Sequence, residues 1–377
     1  ILYNSWTNLM STKKDKFSLK DRFYMELALD LAKAREGLTG LNPSVGCVIV
    51  KKDKIISIGQ TSFKGRPHAE FNAIKQCIDD LNGSKMYVTL EPCCHHGLTP
   101  PCTNIIIKSK ISEVIYSVTD IDRRVRNKSL KILKSNNINV KKGLLENKIN
   151  DFYSNYFFNR KNQLPYVTGK IAVSKNNLIY SKLNKKITNI HSDKFTHLLR
   201  YKNDALMVSY KTLNKDNSKL NCRIKGFDDY SPKRIILDNK LQTKISSYVM
   251  KTANKVNTVF FYNQAEKSKV LDFKKKKIQL IKSKVNEQGK FDMKAILKKL
   301  YTFNCRNLLI EGGDSLTNHL LKNKIFNKFY LYKSPKNLSK EIEYLKFNSL
   351  DVLKKNYKNK FNLNLFLGKD KITLYKN

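Results

Sequence analysis

The chain has 377 residues, of which 41% are apolar, and its 73 Lys and Arg against 31 Asp and Glu give a net charge of +42. This length is too great for one ordinary core and predicts two domains, while the lack of any run of about 18 uncharged apolar residues argues against a membrane-spanning helix. The lysines are spread along the whole sequence with no interleaved aromatic platform, so they predict a solvated surface that attracts phosphorylated substrates rather than a nucleic-acid partner.

The first part of the chain alternates predicted helices and strands. A helix over residues 21–36, with Asp21 as its N-cap, places one apolar face at helical spacing. That face consists of Phe23, Leu27, Leu31 and Ala34. The elements after it are strands 45–50 and 55–58, helix 68–79, strand 85–90, helix 102–108, strand 113–118, helix 128–136 and strand 138–141. The alternation predicts an α/β/α sandwich within residues 15–150.

Within this sandwich, three segments supply the ligand types of a zinc site. A His-x-Glu segment at His68 and Glu70 precedes a Pro-Cys segment at Cys93 and a further cysteine, Cys102. One histidine and two cysteines give three ligands and leave the fourth position of a catalytic zinc open for water. Glu70 would lie beside that water as a proton carrier. Zinc deaminases have this arrangement, and their glutamate passes a proton to the departing ammonia.

The spacing of the two cysteines differs from the Pro-Cys-x-x-Cys of the usual nucleoside and nucleobase deaminases. Here residues 94–101 separate Cys93 from Cys102 and predict an inserted loop across the mouth of the site. Upstream, Asn42 precedes an apolar strand, where its amide can read the polar edge of a flat heterocycle. The seven cysteines are scattered and odd in number, which favours a reducing cytosol over a disulfide framework. We therefore expect a cytoplasmic protein.

These motifs resemble one family closely. Asn-Pro-x-Val-Gly-Cys-Val-Ile-Val from Asn42, His-Ala-Glu from His68 and Glu-Pro-Cys-x-His-x-Gly-x-Thr-Pro-Pro-Cys from Glu91 are similar to the bifunctional deaminase–reductases of riboflavin biosynthesis. The resemblance implies a cytidine-deaminase-like fold with a pyrimidine contact, three zinc ligands and a proton donor. These residues are Asn42 for the pyrimidine, His68, Cys93 and Cys102 for zinc, and Glu70 for the proton.

An aromatic-rich connector, residues 151–165, leads to a second predicted α/β domain over residues 166–377. Its predicted strands are 166–173, 205–208, 234–237, 256–262 and 277–281, and its predicted helices are 193–201 and 292–301. A last strand, 308–310, runs into Gly312 and Gly313 before helix 316–322. Such a turn exposes backbone N–H groups that can hold a phosphate, although a strand–helix turn with no ligand would have the same sequence.

The second domain resembles the reductase half of the same family, which has a dihydrofolate-reductase-like fold and uses NADPH. The matching segments include 170–174, 187–189, 197–200, 204–208 and 236–239. The resemblance implies substrate contacts at Arg200, Arg223 and Glu311. It implies an NADPH site formed by Ala172, Thr212, Asp216, Leu220, Asn239, Gly312, Gly313, Asp314 and Ser315. Lys170 is either a contact to the sugar being reduced or an exposed strand lysine.

The chain also departs from the family pattern. The family commonly has a basic residue where this chain has Leu98, and a histidine near the place of Thr61. In the second domain, Asn176 and Asn177 replace an Asp-Gly pair, and Asn217 replaces the aspartate of an Asp-Pro pair. None of these positions supplies a predicted zinc ligand.

Together, the resemblance implies a two-step enzyme. Zinc-dependent deamination of 2,5-diamino-6-(5-phosphoribosylamino)pyrimidin-4-one would precede reduction of the ribosyl group to a ribityl chain by NADPH. The implied partner is a small phosphoribosylated pyrimidine, with no nucleic acid or membrane, and the chain would form a homodimer or larger homo-oligomer. The alternatives are a deaminase with an inactive reductase half, a nucleic-acid deaminase, and a zinc-stabilised binding protein with four protein ligands.

Overall fold

The computed structural model describes residues 16–184, 186–254, 257–276, 278–363, 365 and 367–376. The chain divides between Ser154 and Asn155 into two compact units, called here the N-terminal and C-terminal units. Among the described residues, every helix is too short or too polar to cross a lipid bilayer.

The N-terminal unit is built on a five-stranded sheet. Its strands are β1 Gly46–Lys51, β2 Lys54–Gln60, β3 Lys85–Leu90, β4 Glu113–Val118 and β5 Asn139–Lys142. Its helices are α1 Leu19–Ala34, α2 Ala69–Gln76, α3 Cys102–Lys108, α4 Lys128–Ser135 and α5 Glu146–Phe152. The strand order is β2-β1-β3-β4-β5, with β1 antiparallel to both neighbours and β3, β4 and β5 parallel. The carboxyl end of β3 therefore leads into the segment that carries Cys93.

Two glycines bring α1 and α2 against opposite faces of this sheet. A Cβ atom at Gly46 would lie 1.8 Å from a carbonyl oxygen of α1, and a Cβ atom at Gly59 would lie 2.2 Å from a carbonyl oxygen of α2. Gly59 pairs with Cys47, the neighbour of Gly46, so the two glycines face opposite sides of the pleated sheet. The close approach at Gly59 fixes the start of α2, where His68 lies.

Helix α1 differs from the prediction in its cap and in its buried face. The Oγ of Ser18 accepts a hydrogen bond from the Asp21 N–H at 3.1 Å, and the Asp21 carboxylate accepts one from the Ser18 N–H at 2.8 Å. Ser18 is therefore the cap, and the predicted cap at Asp21 is wrong. The predicted apolar face is also wrong, since Phe23 is 60% exposed. Small side chains allow the helix to approach Gly46, and the buried residues are Tyr24, Met25, Ala28, Leu29 and Ala32.

The C-terminal unit contains a large sheet flanked by helices. Its strands are β6 Tyr166–Val173, β7 Leu178–Ser181, β8 Ala205–Ser209, β9 Lys233–Leu237, β10 Thr258–Tyr262, β11 Gln279–Lys282, β12 Asn307–Ile310, β13 Lys328–Lys333, β14 Tyr344–Lys346, β15 Asn359–Asn362 and β16 Lys371–Lys376. Its helices are α6 Ser154–Asn162, α7 Ile190–Tyr201, α8 Tyr210–Asp216, α9 Tyr248–Lys251, α10 Lys267–Lys275, α11 Met293–Thr302, α12 Asp314–Lys322 and α13 Leu350–Asn356. The end of α5 and all of α6 occupy the predicted connector, residues 151–165.

The order of the nine-stranded sheet places several strand ends together. The order is β11-β10-β9-β8-β12-β6-β13-β16-β15, and the first seven strands are parallel. Met207 of β8 packs into the core on one face, whereas Leu206 and Val208 pack into the core on the other. Because parallel strands end at the same edge, the residues that follow β6, β8, β9 and β12 gather there.

The predicted strands of this unit are present, with shifted bounds. Strands 256–262 and 277–281 correspond to β10 and β11; their predicted first residues, Val256 and Lys277, lie outside the described residues. Strands β7 and β13–β16 have no counterpart among the predictions. A small separate sheet pairs β14 with β7.

Candidate functional site

Three side chains of the ligand type meet at one edge of the N-terminal sheet. His68 is the N-cap of α2, Cys93 follows β3, and Cys102 is the first residue of α3. The Sγ atoms of Cys93 and Cys102 lie 3.5 and 3.4 Å from Nδ1 of His68, and the three atoms are all within 4.8 Å of one another. In the part of the chain that the structure describes, no fourth ligand joins this cluster.

The cluster has the dimensions of a zinc site. Ligand atoms bound tetrahedrally at zinc distances are separated by about 3.6 Å, close to the separations observed here. Imidazole and thiolate are the donors that zinc prefers, and three protein ligands leave the fourth position open. The structure thus brings together the three residues predicted as ligands in a geometry that fits the metal.

Hydrogen bonding and burial set the protonation of the groups in this cluster. The hydrogen bond with Cys102 lowers the pKa of Cys93 to about 4, so a thiolate is present at neutral pH. Glu70 lies in the first turn of α2 with only 3% of its surface exposed, and burial raises its pKa to about 7. A carboxyl group with a pKa in this range can accept and release a proton near neutral pH.

Glu91, which is not among the predicted site residues, fixes the loop that carries Cys93. Its buried carboxylate accepts hydrogen bonds from Ser129 Oγ at 2.5 Å and from the backbone N–H groups of Asn127 at 3.1 Å and Asp120 at 3.3 Å. These bonds anchor the chain two residues before the metal ligand. The sequence signal is an acidic residue that ends an apolar strand directly before Pro-Cys.

Asn42 lies beside the segment that leads to His68. Its Nδ2 donates a hydrogen bond to the carbonyl of Gly65 at 2.8 Å, which fixes the orientation of the amide. Thr61 is buried, and its Oγ1 accepts a hydrogen bond from the Val45 N–H at 2.9 Å. The threonine therefore holds the chain between Asn42 and β1. The pyrimidine contact of Asn42 stays a prediction.

The inserted loop, residues 94–101, has no ligand in the cluster. Cys94 Sγ donates instead to the carbonyl of Arg124 at 3.5 Å, and Leu98 is 89% exposed. The loop thus connects two predicted zinc ligands without supplying a third cysteine.

In the C-terminal unit, a cavity of about 670 Å³ opens where the parallel strands end. Ten of the residues predicted to bind substrate or NADPH line it, together with Lys170. The ten are Ala172, Arg200, Thr212, Asp216, Leu220, Glu311, Gly312, Gly313, Asp314 and Ser315. Arg223 and Asn239 do not line the cavity.

Arg200 and Glu311 form a buried, bidentate ion pair at this cavity. Arg200 Nε donates to Glu311 Oε1 at 2.8 Å, and Nη2 donates to Oε2 at 2.9 Å. Burial raises the pKa of Glu311, but the charge and hydrogen bonds of Arg200 outweigh it and hold the pKa at about 2. Nη1 donates to the carbonyl of Asn221 at 3.1 Å. The guanidinium of Arg200, predicted as a substrate contact, is therefore engaged by the Glu311 carboxylate.

Breaking this pair is expected to cost stability. Arg200→Ala leaves the Glu311 charge buried without its partner, and we expect the free energy of unfolding to fall by about 3–5 kcal/mol. Adding Glu311→Gln removes that charge and should recover part of the loss. Lys20→Ala, which breaks the exposed pair of Lys20 with Asp53, is the control and should leave the free energy of unfolding nearly unchanged. Urea unfolding followed by circular dichroism measures all three; a loss below about 1 kcal/mol for Arg200→Ala would contradict the assignment.

Arg223 and Asn239 contact the protein elsewhere. Arg223 is exposed, and its backbone N–H donates to Nδ1 of His197 at 3.3 Å. Burial, with the charges of Arg200 and Arg223, lowers the pKa of His197 to about 4, so this ring stays neutral and able to accept the bond. Asn239 follows β9, and its Nδ2 donates to the carbonyl of Gly289 at 3.4 Å. Their binding roles remain predictions.

The glycine turn between β12 and α12 has room for an anion. Gly313 is the N-cap of α12, and a Cβ atom placed there would meet no atom within 4 Å. The Asp314 carboxylate accepts hydrogen bonds from Ser349 Oγ at 2.6 Å and from the N–H groups of Asn348 and Ser349. The backbone of this turn, rather than the Asp314 side chain, is therefore left to hold a cofactor phosphate.

Lys170 and the asparagines at family departures have clear structural positions. Lys170 lines the cavity with Nζ 4.7 Å from the centre of the Tyr332 ring, so the alternative of an exposed strand lysine is wrong. Burial lowers its pKa. Asn177 and Asn217 adopt left-handed backbone conformations, with φ of +60° and +44°. Asparagine tolerates this conformation better than most residues, so both turns persist without the family's usual residues.

Comparisons with known proteins match both units. The cytidine and deoxycytidylate deaminase zinc-binding region matches residues 18–118, and the RibD C-terminal domain matches residues 169–343. The riboflavin biosynthesis protein RibD of Aquifex aeolicus is 34% identical over 318 residues, which cover 84% of this chain and 87% of the relative. The protein of the same name from Actinobacillus pleuropneumoniae is 33% identical, over 85% of each chain.

Solved structures share the fold over nearly the whole chain. Acinetobacter baumannii RibD has a TM-score of 0.80 at 24% identity. The diaminohydroxyphosphoribosylaminopyrimidine deaminase/5-amino-6-(5-phosphoribosylamino)uracil reductase of Thermotoga maritima has a TM-score of 0.78 at 27% identity. Each covers 95% of this chain and 98% of its own. The predicted cytidine-deaminase-like and dihydrofolate-reductase-like folds are confirmed. The chain belongs to the RibD family of riboflavin biosynthesis proteins and is a bifunctional enzyme, a zinc-dependent deaminase followed by an NADPH-dependent reductase.

Proposed function

We propose that the N-terminal unit deaminates 2,5-diamino-6-(5-phosphoribosylamino)pyrimidin-4-one and that the C-terminal unit reduces the ribosyl group of the product to a ribityl chain. The observation that carries this proposal is the three-ligand cluster of His68, Cys93 and Cys102 with buried Glu70 at the same helix start. The second cavity, in the other unit of the same chain, supplies a separate place for the reduction.

In the deaminase step, His68, Cys93 and Cys102 would hold the metal. A zinc ion held there would lower the pKa of its water to about 7, which would supply a nucleophile at neutral pH. Glu70 would take the two protons of the attacking water in turn at a carboxylate oxygen, passing one to the adjacent ring nitrogen and the other to the departing amino nitrogen, which leaves as ammonia. Asn42, held by Gly65, binds the polar edge of the pyrimidine and sets the amino-bearing carbon toward the cluster.

In the reductase step, the chain orients an open-chain sugar imine or aldehyde beside the cofactor. NADPH, when bound, would supply the hydride. The N–H groups of the Gly312–Ser315 turn would hold a phosphate of the cofactor, and the Arg200–Glu311 ion pair lies beside this turn, because Glu311 directly precedes Gly312. Lys170, which lines the same cavity, can hydrogen-bond through Nζ to the imine nitrogen or carbonyl oxygen, the atom that takes a proton when the adjacent sugar carbon takes the hydride.

Two separate assays on the purified protein test this function. Ammonia release from the diaminopyrimidine ribotide should need no NADPH, and NADPH oxidation should need the deaminated ribotide. Ammonia release with no NADPH oxidation would instead favour a deaminase with an inactive reductase half. Deamination of cytosine in single-stranded DNA, with none of the ribotide, would favour the nucleic-acid deaminase.

A substitution at the glycine turn should separate the two activities. Gly313→Val adds a side chain where the protein leaves open space, so the fold should tolerate it while the cofactor phosphate is kept from the backbone. We expect the dissociation constant for NADPH, measured by calorimetry, to rise by about 10-fold or more. Ammonia release should be unchanged. Equal NADPH affinity in Gly313→Val and the unaltered protein would contradict the placement of the phosphate.

The remaining parts of the proposal concern location and assembly. The substrate is a small molecule, so the reaction needs neither nucleic acid nor membrane. The seven cysteines are free thiols, which suits the reducing cytoplasm. A homodimer or larger homo-oligomer follows from the family resemblance. Light scattering after gel filtration tests the assembly, and a monomeric mass at assay concentrations would contradict it.

A further inference from the structure

We propose that Arg66 binds the phosphate group of the substrate at the mouth of the deaminase site. The inference rests on the proposed function, because only a phosphoribosylated substrate brings this anion. It also accounts for Leu98, which stands uncharged and 89% exposed where the family commonly has a basic residue. In this chain the positive charge comes instead from Arg66, in the segment before α2.

The backbone at Arg66 is held firmly. The preceding residue, Gly65, has φ of +92°, and a Cβ atom there would lie 2.5 Å from the carbonyl oxygen of Thr39. Its own carbonyl accepts the hydrogen bond from Asn42. Arg66 is also two residues before the metal ligand His68. Its position is therefore fixed relative both to the predicted pyrimidine contact and to the zinc cluster.

The guanidinium of Arg66 lies against the inserted loop. Nη1 donates a hydrogen bond to Oγ1 of Thr99 at 2.5 Å, and Nη2 would lie 3.4 Å from a Cβ atom at Gly97. Nε2 of His95 is 3.9 Å from the same Cβ position. The loop and the segment before α2 thus form one rim of the deaminase site.

The charge of Arg66 has no acidic partner within the described residues, where no carboxylate forms an ion pair with it. A guanidinium has five N–H donors in a planar fork that matches phosphate oxygens, and the bond to Thr99 uses one. In the same loop, His95 Nδ1 is buried with no hydrogen-bond partner. A half-buried cation without an acidic partner favours an anionic ligand.

The chemistry of the substrate places its phosphate on this rim. The reacting carbon carries the amino group and must face the zinc cluster, whereas the phosphate is at the far end of the ribosylamino substituent. The phosphate therefore points away from the cluster toward the mouth of the site, where Arg66 and the loop lie.

A structural role for Arg66, in which it only pins the loop through Thr99, predicts a different outcome from phosphate binding. The test is ammonia release by the intact protein with two substrates, the ribotide and the same compound without its phosphate. With Arg66→Ala, we expect the KM for the ribotide to rise about 10- to 100-fold, the loss of a charge-assisted hydrogen bond, with kcat within about twofold. The KM for the dephosphorylated compound should be unchanged.

The second part of the test restores a positive charge at residue 98, in the inserted loop. Leu98→Lys in the Arg66→Ala background should recover most of the lost affinity for the ribotide. Lys64→Ala, which removes an exposed charge two residues away, is the matched control and should leave both KM values unchanged. Zinc content should be the same in all variants.

Each other result has a defined meaning. An unchanged ribotide KM in Arg66→Ala, or an equal rise for both substrates, would overturn the role of Arg66 while leaving the proposed function intact. No ammonia release by the unaltered, zinc-loaded protein from the ribotide would overturn the proposed function, and the assignment of Arg66 with it.

Discussion

Replacing Cys93 with serine is expected to remove both the zinc and the release of ammonia. The Sγ atom of Cys93 lies 3.5 Å from Nδ1 of His68, the separation of two ligands on one zinc ion. A serine hydroxyl is a poor zinc ligand at neutral pH, because it lacks the low pKa that makes Cys93 a thiolate. The zinc content, measured by metal analysis, should fall from one per chain to near zero, and the rate of ammonia release should fall with it.

The neighbouring cysteine gives a matched control. Cys94 is adjacent in sequence, but its Sγ faces the carbonyl of Arg124 and is not part of the cluster. Cys94→Ser should therefore keep both the zinc and the activity. Zinc retained by Cys93→Ser, or lost from Cys94→Ser, would show that the ligand set is wrong.

The metal cluster was the part of the site most open to prediction from sequence. Its information is local: His68 and Glu70 share one helix start, and Cys93 and Cys102 bracket one short loop. The ligand types and their spacing are enough to predict that these segments form one site. The support from Glu91 was less visible, because its partner Ser129 lies 38 residues further along the chain.

The reductase cavity was predictable as a set of residues but not as a set of interactions. Arg200 and Glu311 were both expected to contact substrate, yet they bond to each other across 111 residues of sequence. The partner of a buried guanidinium is decided by the tertiary structure, which here brings a buried carboxylate to it. Arg223 matches the family pattern equally well, but its side chain lies outside the cavity lining.

The first helix shows a similar limit. Phe23, Leu27 and Leu31 form an apolar stripe at helical spacing, but the helix buries a different stripe, which carries Ala28 and Ala32. The reason is the close approach at Gly46, where only small side chains fit between helix and strand. The periodicity shows where the apolar side chains lie on the helix, whereas the distance between the helix and strand backbones decides which of them are buried.

Replacing Glu70 with glutamine should stop deamination while leaving the zinc bound. Glutamine has nearly the same shape, but its amide cannot take a proton from water and return it to the leaving nitrogen. We expect ammonia release to fall by roughly 10²- to 10⁴-fold, the usual contribution of a positioned acid–base group. Zinc content should stay at one per chain, because Glu70 is not a member of the ligand cluster.

The same variant tests whether the two activities are separate. The deaminase cluster and the reductase cavity belong to different units of the chain, so NADPH oxidation with a supplied deaminated ribotide should be unaffected by Glu70→Gln. A matched fall in both activities would mean that the reductase depends on the deaminase site. Loss of zinc from Glu70→Gln would mean instead that the carboxylate is a ligand, and the proton would then have to be carried by another group near the open position.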